Sequence, residues 1–91
     1  MKYILKGLKT QEKRSILKKL TGKWVNVKTG YKNFSAKGKL LGFAPESPTF
    51  IYVGTKLVSG LKDQFILTKT VKILIIDEIL VYTRKPKLKW T

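Results

Sequence analysis

From Gly22 onward, apolar residues recur at every second position of the chain. In the segment WVNVKT, Val25 and Val27 alternate with aromatic and polar neighbours, which predicts a strand with one buried face. Similar runs follow, namely FSAKGKLLGF, TFIYVGTKL, QFILT, TVKILII and ILVYT. Asp77 and Glu78 are predicted to form a tight connection before the last of these runs. Five or six strands joined by short links predict a mainly β domain.

Two glycines interrupt the second of these strands. Gly38 and Gly42 stand where a strand that serves both halves of a small barrel must bend sharply. The connector APESP, with its two prolines, is expected to be a stiff link that shapes the barrel. We therefore expect a five- to six-stranded SH3-like or Sm-like barrel. Alternation assigns these aromatic residues to its core: Phe34, Phe43, Phe50, Phe65 and Tyr82.

A helix is predicted before the strands. Thr10 is expected to cap it, Glu12 lies in its first turn, lysines lie in its last turn and Gly22 follows its end, so the helix covers about residues 11–20. Residues 1–9 fit a short strand, a turn of helix or a loose basic arm. The expected organisation is an N-terminal arm over 1–9, a helix and barrel over 10–83, and a basic C-terminal tail over 84–91.

Charge indicates the class of partner. The 91 residues include 20 Lys and Arg but five Asp and Glu, which gives a net charge of +15. Such a field attracts polyanions, nucleic acid first and anionic membrane surfaces second. No apolar stretch approaches the roughly 20 residues of a membrane-spanning helix, and no signal peptide is recognisable. We therefore expect a cytoplasmic protein that binds nucleic acid and not membrane.

The sequence contains no histidine and no cysteine. The commonest catalytic acids, bases, nucleophiles and metal ligands are therefore missing. The five carboxylates are scattered apart from the adjacent Asp77 and Glu78, and the segment GYKNFSAKG does not match the GxxxxGK phosphate loop. We expect a non-enzymatic protein without a metal or cofactor.

Basic residues interleaved with aromatic ones form the candidate site. Trp24 shares its strand face with Lys28 and would offer a stacking platform for bases; the alternative is that Trp24 covers the N-terminal helix. Tyr31 lies in a predicted turn between lysines, and the tail is expected to contact phosphates. The predicted nucleic-acid-binding residues are Lys13, Arg14, Lys18, Lys19, Lys23, Trp24, Lys28, Tyr31, Lys32, Lys37, Lys39, Arg84, Lys85, Lys87 and Lys89.

The order of these segments resembles that of the Sm and Sm-like proteins. LTGKWVNV and GYKNFSAKGKLLGF resemble their first signature, and TVKILIIDEILVYT is similar to the second. The resemblance covers residues 10–83 and implies an RNA-binding barrel. The closing KPKLKW is similar to the archaeal RNase P proteins built on such a barrel, which implies a ribonucleoprotein component. The matching positions of the bent strand are Gly38, Leu40, Gly42 and Phe43.

The nucleotide pocket of that family is missing from this sequence. Sm-like proteins hold a base with an aspartate, a Met-Asn pair and an Arg-Gly pair. The residues found here at those positions lack these groups: Ala44, Ser47, Pro48, Ile75 and Ile76. We therefore expect nucleic acid to bind the outer face and the basic ends, and the chain to be a monomer or dimer rather than a ring.

These observations favour RNA over DNA as the partner, together with other proteins of a ribonucleoprotein. Two other classes stay open. One is a chromatin-like DNA-binding protein on an SH3-like barrel. The other is a protein-assembly module that pairs through exposed edge strands such as ILII or ILVYT.

Overall fold

Six antiparallel strands make up most of the fold in a computed structural model that describes residues 1–31, 35–60 and 64–83. A single α-helix in these ranges precedes the second strand, and a turn of 3₁₀-helix precedes the last. In chain order the elements are β1 (Lys2–Ile4), α1 (Thr10–Leu20), β2 (Trp24–Thr29), β3 (Ala36–Ala44), β4 (Ser47–Ser59), β5 (Gln64–Lys72), the 3₁₀-helix (Ile73–Ile75) and β6 (Ile76–Tyr82). The prediction of a mainly β fold is confirmed.

The strands form one sheet in the order β1-β6-β2-β3-β4-β5. The last strand thus lies between the first two, with Val25 of β2 opposite Val81 of β6 and Gly38 of β3. Within the described ranges β1 and β5 are the two edges and do not pair with each other, so the sheet is not closed into a barrel. Residues 1–9, whose state the sequence left open, contain β1, which pairs Lys2 with Leu80.

The core lies on one face of the sheet, beneath α1. Val25 and Val27 of β2 are fully buried, as alternation predicts, while the intervening Asn26 is part of the opposite face. The helix contributes Leu17 and Leu20. The remaining buried apolar side chains are aliphatic as well: Leu5, Ala36, Leu40, Ala44, Ile51, Val53, Val71, Ile73, Ile76 and Ile79. We call the face that holds them the inner face and the other the outer face.

The prediction of an aromatic core is wrong for most of the side chains that test it. Phe43 packs against the core but is only partly buried. Phe50 and Tyr82 precede or follow the inner-facing Ile51 and Val81, so the alternation of side chains turns both of them outward, and they are half-buried. Phe34 and the side chain of Phe65 lie outside the described part of the chain.

The structure gives the two glycines of β3 different roles, a close approach to β4 at Gly38 and an irregularity of the strand at Gly42. A Cβ atom on Gly38 would overlap the main-chain carbonyl of Gly54 on β4, so only glycine allows this close approach. Gly42 has φ +129°, a conformation that side chains oppose, and the pairing of β3 with β4 shifts register between Leu40 and Gly42. The strand irregularity predicted for β3 is therefore found at Gly42.

The ends of α1 differ slightly from the prediction. Thr10 is the first helical residue rather than the cap, which is Lys9. The carboxylate of Glu12 accepts a hydrogen bond of 3.4 Å from the Lys9 main-chain N–H, as in one half of a capping box. After Leu20, Gly22 takes φ +90° and its N–H donates to the Leu40 carbonyl at 2.7 Å, which ties the helix end to β3.

Two predicted connections were wrong. The connector between β3 and β4 is shorter than the predicted APESP: Pro45 and Glu46 form a two-residue turn, and Ser47 already pairs with Ala44. The segment ILII is not a strand, since residues 73–75 form the 3₁₀-helix. Asp77 and Glu78 lie within β6, not in a turn, because β1 and β2 pair with that strand there.

These corrections change which strand edges are exposed. The segment ILVYT belongs to β6, which is paired on both sides, and ILII is largely 3₁₀-helical, so neither is the open edge that the assembly alternative requires.

Over the described residues, no helix has both the length and the apolar character needed to cross a membrane.

Candidate nucleic-acid interface

A row of cationic and aromatic side chains crosses the outer face. Trp24 at the start of β2 lies opposite Lys39 of β3 on one side and opposite Tyr82 of β6 on the other. Residues paired in this way across antiparallel strands project from the same face, with Cβ atoms about 4.5–5.5 Å apart. Strand pairing therefore brings together three residues that are far apart in the sequence.

Lys37 joins this row by a direct contact. Its ammonium nitrogen lies 5.4 Å from the centre of the Tyr82 ring, within the range of a cation–π interaction. Lys37 is exposed, whereas Lys39, Trp24 and Tyr82 are half-buried. We call these four residues, Lys37, Lys39, Trp24 and Tyr82, the cationic-aromatic row. The sequence prediction named three of them and placed Tyr82 in the core.

Trp24 lies on the face opposite to the one on which α1 packs. If Trp24 covered the helix, as in the alternative prediction, its side chain would have to lie on the inner face, where Leu17 of α1 is buried. The end of the helix approaches Trp24 at one place, where Leu20 and Trp24 both line the cleft described below. The position of Trp24 thus agrees better with the stacking platform.

Glu78 reduces the positive charge at the other end of β2. Its carboxylate contacts the ammonium groups of Lys2 at 2.8 Å and Lys28 at 3.6 Å. The hydrogen bond from Lys2, followed by the charges of Lys2 and Lys28, holds the pKa of Glu78 below its usual value of 4.5. Lys28, predicted to bind nucleic acid, is therefore paired with a carboxylate.

The basic residues of α1 separate into two groups. Arg14 is exposed and its guanidinium carbon lies 5.1 Å from the centre of the Phe43 ring. A shallow depression of about 210 Å³ beside it is also lined by Lys18. Lys13 is different: it is 4% exposed and its ammonium donates to the carbonyl of Leu74 at 2.8 Å. The prediction that Lys13 binds phosphate is wrong, because its side chain points into the protein.

The remaining predicted residues do not form one cluster. Lys19, Lys23 and Tyr31 are all exposed. Tyr31 follows β2, where its main-chain N–H donates to the hydroxyl of Thr29 at 3.1 Å. The other predicted residues lie outside the described part of the chain: Lys32, Arg84, Lys85, Lys87 and Lys89.

A cleft of about 490 Å³ opens where β2 begins and β6 ends. Tyr3 of β1 and Val81 of β6, which both pack against the core, contribute to it. The full lining is Met1, Tyr3, Leu20, Gly22, Lys23, Trp24, Val81, Tyr82 and Thr83. Sequence reasoning missed this site because a three-residue strand such as β1 is too short to show a period. A signal in the sequence was the tyrosine that stands between two lysines in MKYILK.

Metal-ligating residues and similarity to known proteins were both compared with these surfaces. In the ranges that the structure describes, no three His, Cys, Asp or Glu residues lie close enough to hold a metal ion. Comparisons with protein-family models, with curated proteins and with solved structures found no match. The cationic-aromatic row and the cleft are therefore the two candidate binding features of this surface.

Proposed function

We propose that this chain is a non-enzymatic, cytoplasmic RNA-binding protein that acts as a component of a ribonucleoprotein. The observation that carries the proposal is the alignment of Lys39, Trp24 and Tyr82 across three strands, with Lys37 against the Tyr82 ring. A net charge of +15 supplies the general attraction to a polyanion.

The row suits an unpaired strand better than a regular duplex. Aromatic rings stack on the faces of bases, which a duplex hides, whereas lysines reach phosphates in either case. Sequence-specific RNA recognition mostly targets loops, bulges and ends with unstacked bases. This chemistry favours RNA with single-stranded segments over duplex DNA, and a duplex-DNA competitor tests the chromatin-like alternative.

We extend the proposal to the fold relationship. A helix and five strands in the spatial order β6-β2-β3-β4-β5, with a close approach to β4 at Gly38 and a register shift at Gly42, support an Sm-like or SH3-like barrel that is left open. The resemblance to the Sm-like proteins of archaeal RNase P stays part of this proposal. The side chains that replace the family's nucleotide pocket, such as Ala44 and Ser47, support binding at the outer face instead.

A salt series separates phosphate contacts from stacking. Each phosphate contact that is lost should flatten the plot of log affinity against log salt by about 0.7–0.9. Replacing both Lys37 and Lys39 by alanine should therefore reduce the slope by about 1.4 for a single-stranded RNA, twice the value of about 0.7 for one contact on a single strand. Lys6→Ala, which removes an exposed lysine between β1 and α1, away from the outer face, is the control and should leave the slope unchanged.

Trp24→Ala tests the other half of the row. Loss of one stacked base should weaken binding by about 1–3 kcal/mol while the salt slope stays the same.

Removal of residues 84–91 should lower the slope by up to about 3 if their four basic residues bind phosphates. Identical slopes and affinities for the wild type and all of these variants, each shown to be folded by thermal melting, would refute the proposed interface.

A further inference from the structure

The cleft at the start of β2 has the lining of a binding site for a flat, apolar molecule. Its volume of about 490 Å³ falls in the roughly 300–1,000 Å³ range of small-ligand pockets. Leu20 and Val81 supply aliphatic surface, and Tyr3, Trp24 and Tyr82 supply three aromatic side chains. Such a lining favours an aromatic ring as occupant, because rings gain both apolar burial and stacking there.

The charge around the cleft restricts the occupant further. Exposed Lys23 is among the lining residues, and none of the described residues that line the cleft is acidic. Lys39 lies opposite Trp24, and Lys37 contacts Tyr82 from the outer face. A ring that carries a negative group is therefore favoured over a neutral or cationic one, and a nucleotide combines these two properties.

Two residues belong to both the cleft and the cationic-aromatic row. Trp24 and Tyr82 line the cleft and also occupy neighbouring positions in the row. A strand of nucleic acid that lies along the row thus reaches the mouth of the cleft without leaving the protein surface. Inward of these residues, Tyr3 adds a ring that an occupant of the cleft can reach.

We propose that the cleft binds one unpaired nucleobase of the nucleic acid held on the outer face, with Lys23 beside its phosphate. This inference rests on the proposed function and deepens it: recognition requires a nucleotide that is free to leave its stack. RNA with a loop, bulge or single-stranded end satisfies that requirement, whereas a fully paired duplex meets it only by losing a base pair.

Tyr3→Leu is the central test, because it removes an aromatic ring and keeps apolar volume. Affinities are measured for a 12-nucleotide single-stranded RNA and for a blunt duplex of the same length. We expect Tyr3→Leu to weaken the single strand by roughly tenfold or more, as for the loss of one stacked base, and to change duplex affinity less than about twofold. Phe43→Leu likewise removes an aromatic ring, at a half-buried position on the inner face and outside the cleft, and should alter neither affinity.

The two proposals fail in different ways in this experiment. If neither RNA binds the wild-type protein, the proposed function itself is refuted. If both bind and the folded Tyr3→Leu protein keeps full affinity for the single strand, the cleft proposal is overturned and the outer-face interface stands.

Photo-crosslinking of the unaltered protein covers the case in which Tyr3→Leu does not fold. A single-stranded RNA with one 5-bromouridine per molecule, placed at each position in turn, is irradiated and the modified residues are mapped by mass spectrometry. At one position or more, crosslinks to Tyr3, Trp24 or Tyr82 are expected. Crosslinks confined to other residues at every position would overturn the proposal.

Discussion

The ammonium group of Lys13 lies 2.8 Å from the main-chain carbonyl oxygen of Leu74, and the lysine is 4% exposed. This bond joins α1 to the 3₁₀-helix, an element that provides few donors of its own for its carbonyl groups. The four-carbon stem of the lysine fills space that an apolar residue would otherwise occupy. Lys13 therefore holds the fold together, in contrast to the exposed Arg14 and Lys18 beside it.

Lys13→Ala should lower the free energy of unfolding by about 1–3 kcal/mol, because the Leu74 carbonyl loses its donor and the stem leaves a gap. Urea denaturation measures this change. The exposed Lys19→Ala on the same helix is the control and should stay within about 0.5 kcal/mol of the wild type. The salt slope of RNA binding should be the same with and without Lys13. Equal stability of the two variants would show that the Lys13–Leu74 bond is dispensable.

Gly38→Ala should destabilise the protein strongly. The new methyl group would overlap the main-chain carbonyl of Gly54, and a backbone atom cannot rotate out of the way as a side chain can. We expect a loss of at least about 3 kcal/mol, the upper part of the range for overpacking. Gly30→Ala is the matched control, since its methyl group would make an ordinary 3.5 Å contact with a carboxylate oxygen of Asp77. A small, equal loss for both variants would contradict the close approach of β3 and β4.

The Glu78 carboxylate gives stability a defined pH dependence. Its pKa is lowered in the folded protein, mainly by the hydrogen bond from Lys2 and also by the charges of Lys2 and Lys28. As pH falls, the Glu78 carboxylate of the unfolded chain takes up a proton first, near pH 4.5. The ionised carboxylate therefore stabilises the folded protein fully above this pH. This stabilisation is lost as the pH falls through the lower pKa that Glu78 has in the folded protein. Glu78→Gln should therefore be less stable than the wild type at pH 7, and this difference should shrink on acidification.

Urea denaturation between pH 3 and pH 7 measures this difference. Glu46→Gln, at the exposed turn between β3 and β4, is the control, and its stability should follow the wild-type pH profile. A constant difference between wild type and Glu78→Gln across the whole range would mean that the ion pairs with Lys2 and Lys28 do not affect folding.

The position of β1 predicts a small assembly state. β1 occupies the outer edge of β6, so of the longer strands β5 alone keeps an open edge among the described residues, and a ring needs two complementary edges on every subunit. We expect a monomer or dimer of the 10.4 kDa chain by light scattering in about 0.5 M salt, which screens bridging by residual nucleic acid. A uniform particle of six or seven copies would contradict this prediction.

Periodicity predicted the parts of the fold in which one face of a strand is buried. Val25 and Val27 are buried while Trp24 and Lys28 face outward, because a strand alternates its side chains whatever its partners are. The irregularity of β3 at Gly42 was also predictable, since a glycine within an apolar strand often marks a bulge or a bend. Because side chains alternate along a strand, the face on which Trp24 lies could also be predicted before any strand pairing was known.

Pairing between distant segments could not be predicted. The alignment of Lys39 and Tyr82 with Trp24 depends on the register of three strands, and no local pattern records it. Burial of Lys13 likewise depends on a carbonyl group that lies 61 positions away in the chain. The run ILII has strand composition, but it has to turn the chain from β5 into β6, and geometry overrides propensity there.

The insertion of β6 between β1 and β2 also determines the order in which the chain can fold. β3, β4 and β5 are joined to their neighbours by short connections and can pair as soon as each is made. β2 has one exposed edge until β6 arrives, and the contact between Met1 and Val81 closes a loop of 80 positions. Such distant contacts form late and slowly, because the conformational entropy of the long loop is lost before the contact stabilises the structure. During synthesis, therefore, the first strand has to wait for the last, and the cleft between them is completed only at the end of folding.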